Sequence, residues 1–136
     1  MKLPKPKKPT IAKLKKDVWK VFSLYIRQRN ADSNGYTNCI TCGVRKHFKE
    51  LQAGHFIPGR RNAILFDERG CHAQCYACNC GWLKGNPRMY DKFMRETYGE
   101  EVIKDLERLN YGPPKQFSAE ELVGLKEKLK TLLAEK

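Results

Sequence analysis

The spacing of apolar residues divides this chain into helical flanks around a middle with no helical period. From Ile11, apolar positions recur at Leu14, Val18, Phe22 and Ile26, with Trp19 and Tyr25 widening the stripe, which predicts an amphipathic helix over 11–30. Thr10 is placed to cap it, and Pro9 bars an earlier start. Lys13, Lys15, Lys16 and Lys20 fall mainly off the stripe, so one face should join a core and the other stay basic. A turn cluster, Asn30-Ala31-Asp32-Ser33-Asn34-Gly35, ends the helix.

The helical period returns after Gly85-Asn86-Pro87. Tyr90, Phe93, Met94 and Tyr98 mark a helix over 88–98, with Gly99 as its C-cap, and Val102, Ile103, Leu106 and Leu109 mark another over 100–109. Gly112-Pro113-Pro114 breaks the second. Ser118 with Glu121 forms a capping box for a last helix bearing Leu122, Leu125, Leu129 and Leu132. These helices read as scaffolding, their leucine stripe as core or dimer contact.

The intervening stretch is short-stepped and rich in Cys, His, Gly and Asn. It predicts a strand over 52–57, a basic loop over 58–62, a second strand over 63–66, and a helix that begins near Cys75 or Cys78 and runs through Trp82 to Lys84. The expected fold class is α+β: a small zinc-stapled ββα core over 36–90, preceded by a basic flexible arm (1–10) and a helix (11–30), and followed by a helical region (91–136).

Cysteine spacing changes this picture most. Cys39/Cys42 and Cys75/Cys78 are two Cys-x-x-Cys knuckles enclosing 32 residues. Each knuckle aims two sulfurs at one point, and two knuckles complete the tetrahedral set of a structural Zn²⁺. Four thiolates leave that zinc no open position, so it should not activate water. Cys71 and Cys80 fall outside the pattern and read as ordinary thiols.

Charge narrows the partners. Lys and Arg number 27 against 15 Asp and Glu, a formal net charge of +12, which four zinc-bound thiolates would reduce to about +10. Such a surface attracts polyanions, with nucleic acid the first expectation. There is no apolar run long enough to span a bilayer and no apolar segment after the basic N-terminus to make a signal peptide, so a cytoplasmic protein is expected.

Between the knuckles, Gly54-His55-Phe56 lies in the first predicted strand, Arg60 and Arg61 follow in the loop, and Asn79 comes directly after the last zinc cysteine. Phosphodiester hydrolysis needs a base for water, a divalent metal for the leaving oxygen and a cation near the phosphate. His55, Asn79 as an amide-oxygen ligand, and Arg60 or Arg61 supply those three kinds of group, with Lys84 a further phosphate contact. His47, in a charged knuckle loop, reads as solvated.

The ordered motifs Cys-x-x-Cys-Gly (39–43), Ala-Gly-His-Phe (53–56), Phe-Asp-Glu-Arg (66–69), His-x-Gln-Cys-x-x-Cys-Asn (72–79) and Lys-Gly-Asn (84–86) resemble the NinG/Rap family of lambdoid phage recombination endonucleases over roughly residues 15–110. The same order is similar to phage endonuclease VII. The resemblance implies an HNH-like (ββα-metal) fold, a Mg²⁺ or Mn²⁺ cofactor beside the structural zinc, and nicking of branched DNA such as Holliday junctions and D-loops in a bacterial host's cytoplasm. It also implies His55 as general base and Asn79 as a catalytic-metal ligand. Two positions depart from it. HNH enzymes often place Asp or His just before the base, where this chain has Gly54; Gly70 replaces the Asn that braces the loop. The second metal ligand is then sought at His72, next at Asp67, then at Glu68. Symmetric junction cleavage would suit a homodimer. Two alternatives stay open: a non-catalytic zinc-ribbon DNA-binding protein, and an HNH nuclease of restriction, homing or packaging type.

Overall fold

The computed structural model describes residues 3, 4 and 7–136, so the predicted basic arm falls partly outside the described residues. Helix α1 (Ile11–Gln28) begins where the Thr10 side chain accepts a hydrogen bond from the Lys13 N–H at 3.1 Å. Such a cap stabilises a helix by about 1 kcal/mol. Val18, Phe22 and Ile26 are buried along one face of α1. Across from them lies α6 (Ala119–Ala134), whose Ser118–Glu121 capping box forms as expected. Leu122 and Leu129 of α6 join Val18, Phe22 and Ile26 in one cluster, so the leucine stripe is spent within the chain.

Two antiparallel hairpins occupy the middle. The first pairs β1 (Tyr36–Asn38) with β2 (Arg45–His47) and carries the first knuckle at its turn. The second pairs β3 (Gln52–His55) with β4 (Cys71–Gln74), in a register that sets Gly54 against His72 and His55 against Cys71. A single helical turn, α3 (Tyr76–Asn79), follows β4 directly. The fold is thus mixed helix and two-stranded sheets, with helices flanking the cysteine region on both sides.

Two expected elements are corrected. Residues 63–66 do not form a strand; Asn62–Leu65 is a helical turn, α2. Ile64 enters a core cluster with Tyr90, Met94, Ile103 and Leu106, while Phe66 packs with the α1–α6 cluster. A turn of helix sends neighbouring apolar side chains to different cores, whereas a strand alternates between two faces only. The true second strand, β4, is buried at all four positions and shows no alternation that a sequence pattern could reveal.

The helix expected to reach Lys84 stops at Asn79. Gly81 folds against α3 so closely that a Cβ there would lie 2.8 Å from the Ala77 Cα, and Lys84 and Asn86 adopt positive φ. Helix α4 (Pro87–Thr97) then starts with proline in its first turn, and α5 (Glu100–Tyr111) completes the third cluster. No described helix is long and apolar enough to cross a membrane.

Candidate functional site

The four knuckle cysteines come together although Cys42 and Cys75 are 33 positions apart. Their sulfurs all lie within 4.8 Å of one another, with Cys42 Sγ 3.7 Å from Cys75 Sγ. Four sulfurs at about 2.3 Å from a tetrahedral zinc stand close to that spacing, so the set fits a metal ion such as zinc. Cys39 and Cys42 are held by a tight turn in which the Gly43 N–H donates to the Cys39 carbonyl at 2.9 Å and Gly43 takes φ +82°. Cys75 caps α3 and Cys78 sits within it. The Ile40 N–H donates to the Ala73 carbonyl at 3.0 Å and ties the two hairpins together.

The sulfurs are not equivalent. Burial pushes the Cys39 thiol up, but hydrogen bonds from the Thr41 hydroxyl and from the N–H groups of Cys42, Cys75 and Thr41 outweigh it and bring Cys39 down to about 6. Burial raises Cys42 and Cys78. One thiolate is therefore ready at neutral pH, and a divalent cation would supply the charge that stabilises the others. Cys71 and Cys80 stand apart: burial pushes Cys71 up to about 12, and Cys80 donates to the Gln52 side-chain oxygen at 3.0 Å.

Alternation along β3 turns its residues two ways. His55 turns toward α1, where its ring stacks on Trp19 with centroids 5.4 Å apart. Its Nε2 lies 3.0 Å from the Leu65 carbonyl oxygen. A carbonyl only accepts, so Nε2 carries the proton and Nδ1 keeps its lone pair. Burial lowers the His55 pKa; the Leu65 carbonyl opposes this, and the Arg60 charge adds to it. His55 is held neutral near pH 7, with one basic nitrogen of fixed identity.

Gly54 and Gln52 turn the other way, toward α3. The Asn79 amide donates to Gln52 Oε1 at 2.8 Å, which leaves Asn79 Oδ1 facing the Gly54 backbone. His72 and Asp67, the further ligands expected beside Asn79, are engaged elsewhere. The Tyr90 hydroxyl donates its only proton to the Gly54 carbonyl, so His72 Nδ1–H donates to the Tyr90 oxygen at 3.1 Å and Nε2 accepts from Tyr98 at 2.8 Å. No lone pair of His72 is left for a metal, and burial lowers its pKa to about 3. Both Asp67 oxygens accept from Arg69, which also bridges to Asp105. His72 and Asp67 act here as braces for β3–β4 and the loop before it.

The predicted phosphate contacts separate as well. Arg60 places its guanidinium 4.2 Å over the Trp19 ring, beside His55. Arg60 and Trp19 line a cleft of ≈410 Å³ together with Lys15, Lys16, Lys20, Ala12 and Leu65. Arg61 turns away and donates to the Asn110 carbonyl at 3.1 Å. Lys84 sits in the left-handed loop after α3, off the helical spacing expected from Asn79. Trp19, which the pattern merges into the core stripe, thus also lines this cleft. Gln52 carried no motif signal, and Gln74, though part of the His-x-Gln-Cys motif, was given no role; both are recognised through their contacts.

Along residues 2–136 the chain matches the family model described as Bacteriophage Lambda NinG protein. Two curated relatives, each called Protein ninG, come from Escherichia phage 933W and Enterobacteria phage VT2-Sa; each is 29% identical over 93 residues, covering 68% of this chain and 43% of the relative. The matched stretch thus spans less than half the length of those relatives. No solved structure gives a significant match.

Proposed function

The chain belongs to the NinG family of lambdoid phage proteins, and on that premise we propose that it is a metal-dependent endonuclease of phage recombination, acting on branched DNA such as Holliday junctions and D-loops. The single observation that carries this reading is the state of His55: neutral, Nε2–H committed to the Leu65 carbonyl, Nδ1 unprotonated, at the end of the strand that also meets Asn79. A half-buried histidine held this way keeps the free lone pair that a general base needs.

The HNH-like assignment draws support from chain order. Strands β3 and β4 lead straight into α3, His55 ends the first strand, and Asn79 ends the helical turn after the last zinc cysteine. Asn79 would hold a Mg²⁺ or Mn²⁺, which when bound supplies charge stabilisation at the leaving oxygen. His55 Nδ1 takes the proton of the attacking water. His55 and Gly54 are neighbours on β3, so the His55 ring and the Asn79 oxygen flank the same end of the strand from its two faces. Arg60, Lys15, Lys16 and Lys20 line the adjoining cleft with positive charge that grips the backbone without reading sequence. That suits recognition of DNA shape.

The test is nicking of branched and linear DNA by zinc-loaded protein, with and without Mg²⁺ or Mn²⁺. Cleavage of the branched substrate that needs the divalent ion and is lost in His55→Ala is the expected result. The alternative, a zinc module that binds DNA without cutting it, is favoured by one feature: Gly54 contributes no ligand side chain. Binding without nicks in either metal would establish that alternative.

A further inference from the structure

Gly54 has no side chain, yet the space beside it is not neutral. A Cβ built there would overlap Gln74 Oε1 and lie 2.7 Å from Asn79 Oδ1, so two amide oxygens from different elements converge where a side chain at position 54 would stand. Gln74 is 0% exposed, and its Oε1 has no hydrogen-bond partner among the described residues. A buried carbonyl oxygen without a partner is costly and rare.

Reversing the Gln74 amide would not relieve this. Gln74 Nε2 donates to the Gly85 carbonyl at 3.0 Å and to Thr41 Oγ1 at 3.2 Å, and a carbonyl cannot accept from Oε1. Asn79 Nδ2 donates to Gln52 Oε1, which also accepts from Cys80 Sγ. Each NH₂ group is tied back to the scaffold, and each oxygen is turned toward Gly54. The orientation is inherited from the zinc knuckle: Thr41 Oγ1 bonds Cys39 Sγ as well as Gln74, and Asn79 follows Cys78. A zinc bound by four thiolates carries a net charge of about −2 and adds a negative field there.

We propose that Gln74 Oε1 and Asn79 Oδ1 together hold a divalent cation beside Gly54, with Gln74 supplying from β4 the ligand that position 54 lacks. Two oxygen ligands with the rest of the shell left to water and phosphate suit Mg²⁺ or Mn²⁺, which seldom take a complete protein cage. Glycine is required at 54 because any side chain would fill the space. The cation's use in cleavage rests on the nuclease reading above; its binding does not.

The test uses zinc-loaded, isotope-labelled full chain titrated with Mn²⁺ while the side-chain amide signals are followed by NMR. The Gln74 and Asn79 NH₂ signals should broaden below about 1 mM Mn²⁺, ahead of the exposed Asn38. Gln74→Met, similar in volume, should raise the concentration needed about tenfold. The double variant Gly54→Asp/Gln74→Ala, which brings a carboxylate to the same spot from β3, should restore the broadening at lower Mn²⁺ than the parent, and keeps the test available if the single variant fails to fold. Signals of Gln74 and Asn79 that stay sharp beyond about 10 mM, as they would with water alone between the oxygens, overturn the proposal, as does unchanged broadening in Gln74→Met. Nicking with both amides sharp would sink this assignment alone. Broadening without nicking would keep the cation site and sink the nuclease reading.

Discussion

The Tyr90 hydroxyl, reaching from α4, donates to the Gly54 carbonyl at 2.6 Å and is itself buried. This bond fixes the glycine that lies between the candidate base and the candidate ligands. It also decides the state of His72, because a hydroxyl that has given its proton to Gly54 can only accept from His72 Nδ1.

Tyr90→Phe removes that donor and leaves both the Gly54 carbonyl and His72 Nδ1–H short of a partner. Loss of about 1–3 kcal/mol of stability is expected, read from urea unfolding of the zinc-loaded protein. Nicking should fall by more than the unfolded fraction explains, because Gly54 is no longer held. An unchanged unfolding midpoint would contradict the role given to Tyr90.

Burial holds the His55 pKa below its ordinary value of about 6.5. Nδ1 must be unprotonated to accept a proton, so the rate of nicking should fall as pH drops through the folded pKa, with a midpoint below 6.5. Trp19→Ala opens the ring to water and should move this acid limb upward; Arg60→Gln, which removes a neighbouring positive charge, should move it in the same direction. A limb at or above 6.5 in the parent protein would show that another group controls the rate.

Thr41 is buried and joins the Cys39 sulfur to the Gln74 amide. Thr41→Val keeps the shape and deletes the hydroxyl, so zinc affinity should weaken roughly 10–100-fold, as outer-shell losses do. Competition with a colorimetric chelator measures this directly. The variant should also lower the thermal midpoint, since the metal's binding energy is part of the folding energy.

The basic wall of the cleft is open to a salt titration. Replacing Lys15, Lys16 and Lys20 with glutamine should weaken binding to all DNA sequences alike and reduce the slope of log affinity against log salt by about 0.9 for each phosphate no longer neutralised. A slope equal to the parent's would place the DNA on another face.

Leu122 is fully buried between α6 and α1. Leu122→Ala should cost about 2–5 kcal/mol, while zinc content stays at one ion per chain because the knuckles lie in a separate cluster with Leu51 and Ala73. Metal analysis beside denaturant unfolding separates the two effects.

Local rules were sufficient for α1, its Thr10 cap, the capping box of α6 and the cysteine quartet. A helical stripe, a cap and a Cys-x-x-Cys pair are each defined within a few residues, so the chain carries them openly. The sequence also marked His55 and Asn79, through motif order. It could not show β4, because four buried positions in a row leave no alternation, nor the early stop of α3, which depends on Gly81 meeting Ala77. What only the tertiary structure decided is which polar atoms are already committed: His72 between two tyrosines, Asp67 on Arg69, Arg61 on Asn110, and the one oxygen of Gln74 that has nothing to bond. A side chain's type sets how many hydrogen bonds it can make; only its neighbours in space determine how many remain for a ligand.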